Sequence, residues 1–182
     1  GTINASASKW LGGSDGGKAS GILIGSQGTL RVEGGDITAS GTKDGEKTRY
    51  GMYVSGQFIM TGGKMKVIGK DCQGLYTIGK FELSGGEMAV SSEANLLGFV
   101  AAGDSTVIKN SGKLTVDILD VASGKTMTVE KNATLTVDGV KLEEGSTLIN
   151  NGNLTVNREV DDRDGGTLEN HGTISGNGSI PD

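Results

Sequence analysis

The chain has 182 residues, a net charge of −5 and a single cysteine, so it is long enough for one domain with a buried core and cannot form an internal disulfide. Glycine supplies 33 of the 182 residues, well above its usual share of ~7%. Proline occurs once, which excludes collagen and proline-rich linkers. No apolar run reaches the ~20 residues of a membrane span, and no basic patch with interleaved aromatic residues indicates nucleic-acid binding.

Residues 1–20 are small and polar apart from Trp10 and Leu11. They are interpreted as an N-terminal cap, in which Trp10 covers the open end of a repetitive fold, or alternatively as a linker. The chain begins at Gly1 without a visible signal peptide. We therefore expect a fragment whose targeting segment and neighbouring domains belong to a longer parent chain.

A ten-residue phrase occurs three times within residues 21–104. It alternates apolar and other residues on both sides of a central Gly-Gly pair, at Leu30 to Ala39, Phe58 to Val67 and Phe81 to Val90. The alternation predicts strands, and Gly-Gly provides a positive φ or a sharp bend at a corner. If Gly62 and Gly85 hold that positive φ, valine at either position will be destabilising.

A second phrase, glycine followed by alternating apolar residues, lies between successive Gly-Gly pairs. It begins at Gly21, Gly51, Gly74 and Gly98. One repeat therefore contains three short strands, and self-similarity of this length predicts a solenoid. A row of separate hairpins would use the same glycines, but it would not explain why the third strand keeps returning.

We predict an all-β, single-domain parallel β-helix (β-solenoid) with three short strands per coil. Each strand pairs with its equivalent ~4.8 Å along the axis, and a right-handed coil is expected. The predicted core comprises the alternating apolar positions Leu30, Val32, Ile37, Phe58, Met60, Met65, Val67, Phe81, Leu83, Met88 and Val90.

Within residues 105–175 the corner residue changes from glycine to asparagine. Phrases related to Asn-x-Gly-x-Leu-Thr-Val begin at Asn110, Asn132, Asn150 and Asn170. Asparagine tolerates the left-handed conformation, and asparagines stacked between coils can bond one another. These shorter coils are predicted to continue the same domain, with protruding loops at residues 40–49 and 157–166. Residues 176–182 are predicted to be a C-terminal tail that frays or leads into a further domain.

Repeats of the form G-I-Y…L-x-I-x-G-G-x-I-x-A resemble the β-helical domains of bacterial cell-surface proteins, many of them described as carbohydrate-binding or adhesin-like. The N-x-G-x-L-T-V phrases resemble repeats of autotransporter and adhesin passenger domains, and together the two patterns cover residues 21–175. The resemblance implies a secreted, extracellular or cell-surface bacterial protein. Its expected partner is a glycan or another host or cell-surface ligand. Neither nucleic-acid binding nor membrane insertion of this chain is expected.

Alternation places one side chain of each third strand outside the solenoid. Leu23, Tyr53, Tyr76 and Val100 are predicted to form one exposed apolar ladder. Two tyrosines one coil apart would give a flat platform for sugar rings, so Tyr53, Tyr76 and Tyr50 are the predicted ligand-binding residues. The alternatives are a ladder covered by a loop or a neighbouring protein, or a ladder that only stabilises the sheet.

No metal or cofactor is expected. Asp161, Asp162 and Asp164 offer loop oxygens for Ca²⁺, but their spacing fits neither an EF-hand nor the G-G-x-G-x-D calcium repeat, and a solvated loop is the favoured interpretation. His171 is the only histidine, which argues against zinc. Cys72 has no recognisable base nearby in the pattern, so it is interpreted as a turn or core residue.

Two classes of function remain. A non-catalytic module for adhesion or glycan binding is favoured, and a polysaccharide lyase or glycoside hydrolase is the alternative, because the parallel β-helix also hosts those enzymes. A purely structural stalk segment is the third interpretation. A polysaccharide lyase or glycoside hydrolase needs carboxylates gathered on one outer face. The outward positions of the other two strands of each repeat carry no such set: Arg31, Ile59, Glu82, Thr38, Lys66 and Ala89.

Overall fold

The computed structural model describes residues 2–7, 19–42, 49–93 and 96–180, and these ranges contain strands and no helix. The strands are β1 (Thr2–Ala7), β2 (Ala19–Ile24), β3 (Thr29–Val32), β4 (Asp36–Thr42), β5 (Arg49–Val54), β6 (Gln57–Met60), β7 (Lys64–Lys70), β8 (Gln73–Thr77), β9 (Lys80–Leu83), β10 (Glu87–Ser92), β11 (Phe99–Ala101), β12 (Ser105–Ile108), β13 (Lys113–Val121), β14 (Thr126–Val129), β15 (Thr134–Leu142), β16 (Thr147–Asn150), β17 (Asn153–Asp161), β18 (Thr167–Asn170) and β19 (Thr173–Ser175).

Every pairing between these strands is parallel, and each strand pairs with its equivalents in adjacent coils. A seven-stranded sheet contains the first strand of each coil, from β3 to β18, and a twelve-stranded sheet contains the rest. The predicted parallel β-solenoid is thereby confirmed, and antiparallel hairpins are excluded for the described strands.

The number of strands per coil changes along the axis. Up to β11 each coil has three strands, as the sequence predicts, whereas β13, β15 and β17 each run through the positions of the second and third strands. β13 pairs with β10 through Lys113–Val116 and with β11 through Leu119–Val121. Residues 43–48 and 93–98 separate the two strands in earlier coils, and the later coils have no such insertion, which explains their shorter repeat.

Asp117 marks this change of coil type. Its Oδ2 accepts a hydrogen bond from the Ser92 backbone N–H at 2.6 Å, and its Oδ1 accepts one from the Ile118 backbone N–H at 2.7 Å. The carboxylate thus accepts from two backbone N–H groups at the junction between the two halves of β13. No loop is inserted at this junction to provide other acceptors for them.

The core is one continuous column of inward side chains that runs along the solenoid axis. Every predicted core residue is buried in it except Leu30, which is half-buried and packs against it. Phe58 and Phe81 stack in successive coils with ring centroids 5.1 Å apart, and Phe99, from the same coil as Phe81, packs against Phe81 in a tilted arrangement at 5.2 Å. This confirms the inward and outward assignment that alternation gives for the glycine coils.

The corner glycines divide their roles differently from the sequence prediction. Neither Gly62 nor Gly85 holds a positive φ; the second glycine of each pair does, at Gly35, Gly63 and Gly86. The first glycine is required by close packing instead. A Cβ on Gly85 would lie 2.4 Å from the Thr61 carbonyl oxygen of the preceding coil.

Gly86→Ala is therefore expected to lower the free energy of unfolding by about 1–3 kcal/mol, because its φ is +80° and its Cβ would lie 2.5 Å from the Gly63 carbonyl oxygen. Gly34→Ala is the matched control, since no described atom lies within 4 Å of its Cβ. Urea unfolding of both variants tests this. Equal midpoints would show that the corner does not depend on the left-handed conformation.

The asparagine corners use both of the mechanisms expected from the sequence, at different positions. Asn110 and Asn132 hold φ values of 55° and 69°, in the left-handed region. Asn150 and Asn170 instead stack, with the Asn150 Nδ2 donating to the Asn170 Oδ1 at 2.7 Å. Asn150 is fully buried, and its amide is further satisfied because its Nδ2 also donates to the Thr173 carbonyl and its Oδ1 accepts from the Gly152 N–H.

Both ends of the solenoid add to the stack. β1 pairs with β4 along its whole length, while Trp10 and Leu11 lie outside the described residues, so the cap interpretation is not tested. At the other end, the Val160 N–H donates to the Ser179 carbonyl at 2.9 Å, and Ile180 packs against the core. Residues 176–180 are therefore part of the last coil rather than a frayed tail.

Candidate functional site

One outward position of each coil lies in register along the third-strand side of the solenoid. Strand pairing aligns Leu23, Tyr53, Tyr76, Val100, Asp120, Lys141 and Asp161, which we call the outer ladder. The sequence prediction found its first four members and missed the charged ones. The signal for Asp120 and Lys141 was the pair of apolar residues that flanks each of them, as in Leu119-Asp120-Val121, whereas Asp161 has an apolar neighbour on one side only.

The three tyrosines form a cluster outside the core, which we call the tyrosine cluster. The ring centroids of Tyr50 lie 5.3 Å from Tyr53 and 5.1 Å from Tyr76, and Tyr53 and Tyr76 stack at 5.8 Å. The sequence predicted correctly that Tyr53 and Tyr76 lie on one outer face. It did not predict that Tyr50 packs against both of their rings.

The prediction of a fully exposed platform is wrong. Tyr53 is only 7% exposed and Val100 only 5%, while Tyr76 is half-buried and Leu23 is exposed. Tyr50 is itself buried, and this burial together with the neighbouring Tyr76 and Tyr53 raises the pKa of its hydroxyl to about 12. Tyr76 is therefore the one ring of the cluster with a substantial accessible surface.

Close approach of the backbone brings Tyr50 to this position. A Cβ on Gly41 would lie 2.0 Å from the Tyr50 carbonyl oxygen, and one on Gly51 would lie 2.6 Å from the Ile68 carbonyl oxygen. These two glycines allow β5 to return directly against β4 and the next coil, so Tyr50 packs over the ladder instead of joining the core. Residues 43–48, the centre of the predicted loop, lie outside the described residues.

Cys72 and His171 have structural surroundings. The buried Cys72 Sγ donates to the Gly41 carbonyl at 3.3 Å, and the Ser92 Oγ donates to the Cys72 carbonyl at 2.9 Å. His171 is exposed in the turn after β18, where its backbone N–H donates to the Asn150 carbonyl. The contacts of Cys72 agree with the turn or core role predicted for it.

Asp120 is the most unusual member of the outer ladder. Its side chain is outward-facing yet only 7% exposed, and its Oδ1 is buried without a hydrogen-bond partner in the described part of the chain. Burial, together with the nearby Glu143 and against the opposing effect of Lys141, raises the pKa of this carboxyl to about 6. A buried carboxyl oxygen without a partner costs stability, and an incoming donor reaches it only when the side chain turns outward.

The ladder ends in a group of ion pairs. The Lys141 Nζ contacts a Glu143 carboxylate oxygen and lies 3.6 Å from Asp164, and Arg163 binds both carboxylate oxygens of Asp161. Hydrogen bonds from Arg163 lower the pKa of Asp161 to about 2. Within the described residues, no group of three or more His, Cys, Asp or Glu side chains is arranged to hold a metal ion.

A small cavity of about 210 Å³, which we call the Gly139 notch, adjoins this end of the ladder. It is lined by Leu97, Ile118, Gly139, Val140, Lys141, Arg158, Glu159 and Asp161. Gly139 lies in register between Ile118 and Glu159, so the missing side chain leaves a gap in a second outward column.

The predicted loop at residues 157–166 is wrong in its first half, because β17 continues to Asp161.

A larger groove of about 520 Å³ lies on the outer face of β4, β7, β10 and β13. Three of its charged groups bind one another: Glu87 lies 3.8 Å from the Lys64 Nζ and 3.4 Å from the Lys113 Nζ. This groove is an open sheet face with satisfied ion pairs. The outer ladder is the better candidate site, because it combines a partly accessible aromatic ring, an unpaired carboxyl oxygen and an adjoining notch.

Comparison with protein-family models, with curated proteins and with solved structures found no match for this chain. The class that can be stated is therefore the fold itself, a parallel β-solenoid. In the ranges that the structure describes, no helix has the length and apolar character of a membrane span.

Proposed function

We propose that the chain is a non-catalytic, extracellular or cell-surface β-solenoid module that serves adhesion by binding glycans along its outer ladder. One observation carries this proposal: the partly accessible ring of Tyr76 shares a ladder with Asp120, whose buried Oδ1 has no hydrogen-bond partner among the described residues. The resemblance of the repeats to those of bacterial adhesin-like proteins agrees with it.

The chemistry of this pair suits a saccharide. A tyrosine ring offers an apolar face to the C–H groups of a pyranose, and its hydroxyl remains available at the edge. Two coils separate Tyr76 from Asp120, or ~10 Å along the axis. A ligand that spans this distance with hydroxyl donors at one end would satisfy the Asp120 carboxyl.

A polysaccharide lyase or glycoside hydrolase is the second candidate, favoured by one observation. Asp120 and Asp161 lie two coils apart on the ladder, with a raised and a lowered pKa respectively. Inverting glycosidases hold such carboxyl groups ~6.5–9.5 Å apart. However, Lys141 lies between the two in register, in the space that a sugar and a water would need, so binding without catalysis is favoured.

The test is a glycan array with the wild type, followed by Tyr76→Ala and Tyr76→Phe. We expect Tyr76→Ala to weaken retention of the bound glycan at least tenfold, because the stacking surface is lost, and Tyr76→Phe to retain most of it. Circular dichroism checks that both variants fold. A wild type that retains no glycan would contradict the proposal and leave the stalk interpretation. Release of reducing ends or unsaturated sugars would favour the enzyme.

A further inference from the structure

We infer that the Gly139 notch is a subsite for one neutral pyranose unit, so that a bound glycan lies along the solenoid axis from Tyr76 to the notch. This inference rests on the proposed function and names the ligand class and its orientation.

The notch is formed by a missing side chain and an extra residue. In β15 one residue separates Val137 from Gly139, whereas two residues, Asn157 and Arg158, separate their partners in β17. This β-bulge directs the following side chains to new positions, a device that frequently occurs beside binding sites. Gly139 leaves the space between Ile118 and Glu159 open, so the cavity comes from the backbone pairing rather than from a flexible loop.

The lining of the notch matches a neutral sugar. Leu97 and Ile118 supply an apolar side for C–H groups. Arg158 and Glu159 are exposed, and their side chains make no hydrogen bond or ion pair with the described residues, so a donor and an acceptor are available for neighbouring hydroxyls.

The charges of the lining favour a neutral over a charged sugar. Two cations, Lys141 and Arg158, oppose two carboxylates, Glu159 and Asp161, so the formal charge of the lining is zero. An acidic sugar would be repelled by the two carboxylates and an amino sugar by the two cations. Either would gain no net attraction from a lining of zero charge and would still lose its own hydration on binding. A neutral pyranose can accept a hydrogen bond from Arg158 and donate one to Glu159, the two groups of the lining that are not engaged in ion pairs with the described residues.

The notch and the outer ladder form one continuous surface, because Lys141 and Asp161 belong to both. Three coils separate Tyr76 from Lys141, which is ~14 Å along the axis. A chain of several pyranose units is needed to cover this distance. The ligand is thus an extended oligosaccharide segment that contacts Tyr76, passes Asp120 and places one unit in the notch.

Gly139→Leu tests this directly. A Cβ at Gly139 would meet only the Glu159 carbonyl oxygen, at 3.8 Å, so the leucine can fill the notch without a steric conflict with the backbone. Thr136→Leu is the matched control, since Thr136 is an outward, half-buried residue of the same strand that does not line the notch. Isothermal titration would use a neutral oligosaccharide selected on the array and its disaccharide.

We expect Gly139→Leu to weaken oligosaccharide binding at least tenfold, with the disaccharide affected less and Thr136→Leu unchanged. Glu159→Gln, which alters no volume, should also weaken binding and provides a second measurement if the leucine variant does not fold. Unchanged oligosaccharide affinity in Gly139→Leu or in Glu159→Gln would overturn the inference while wild-type binding upheld the proposed function. Absence of wild-type binding would overturn both.

Discussion

Replacing Phe81 with alanine is expected to lower the free energy of unfolding by about 3–5 kcal/mol. The Phe81 side chain is fully buried; its ring stacks on Phe58 and packs at a tilt against Phe99, with ring centroids 5.1 and 5.2 Å away. Its removal forfeits two aromatic pairs and leaves a cavity. The cavity cannot close easily, because the strand ladders fix the spacing of the coils above and below.

Chemical denaturation with urea measures this loss. Ile78→Ala, at a residue that is 46% exposed, is the matched control and should change the free energy of unfolding by less than about 0.5 kcal/mol. A loss below about 1.5 kcal/mol in Phe81→Ala would show that adjacent coils collapse onto the space. That result would contradict a core in which the packed rings of Phe58, Phe81 and Phe99 stabilise the glycine coils.

Asp120→Asn is expected to stabilise the protein by about 1–3 kcal/mol above pH 7. Folding raises the pKa of this carboxyl from 3.8 to about 6, so the folded state binds the proton more tightly than the unfolded state. The cost of the ionised group is absent below about pH 4, grows as the pH rises, and is complete above the folded pKa. Each unit of pKa shift corresponds to ~1.4 kcal/mol, and unpaired amide hydrogens of the asparagine offset part of the gain.

Thermal unfolding at pH 4 and pH 7.5 tests this sign. The wild type should lose more stability than Asp120→Asn between the two values, and the variants should converge at the lower pH. Asp162→Asn, which removes one carboxylate from the turn after β17, controls for net charge. A variant less stable than the wild type at pH 7.5 would show that Asp120 is paired in solution and does not carry a penalty.

This penalty bears on the proposed site. A carboxyl that costs stability at neutral pH is retained more easily where it contributes to binding, since binding sites commonly hold groups that destabilise the fold. A bound glycan that donates to the Asp120 Oδ1 would remove the cost of the unpaired oxygen. The stabilising effect of the glycan should therefore be smaller in Asp120→Asn than in the wild type.

The sequence by itself determined the solenoid and its core. Period-two alternation decides which side of its own strand a residue occupies, so Phe58, Phe81 and Met88 could be assigned inward without any knowledge of their neighbours. The repeated glycine and asparagine corners then predicted that the strands stack in parallel. Both inferences depend on local chemistry that every coil repeats.

Only the tertiary structure decided what happens outside the core. Alternation sends Tyr53 outward, but whether it is covered depends on Tyr50, which reaches it because Gly41 and Gly51 allow close backbone approach. The Gly139 notch depends in the same way on a register shift between β15 and β17. Neither feature has a local signal, because each is set by contacts between coils far apart in sequence, and the candidate site lies where those contacts depart from the repeat.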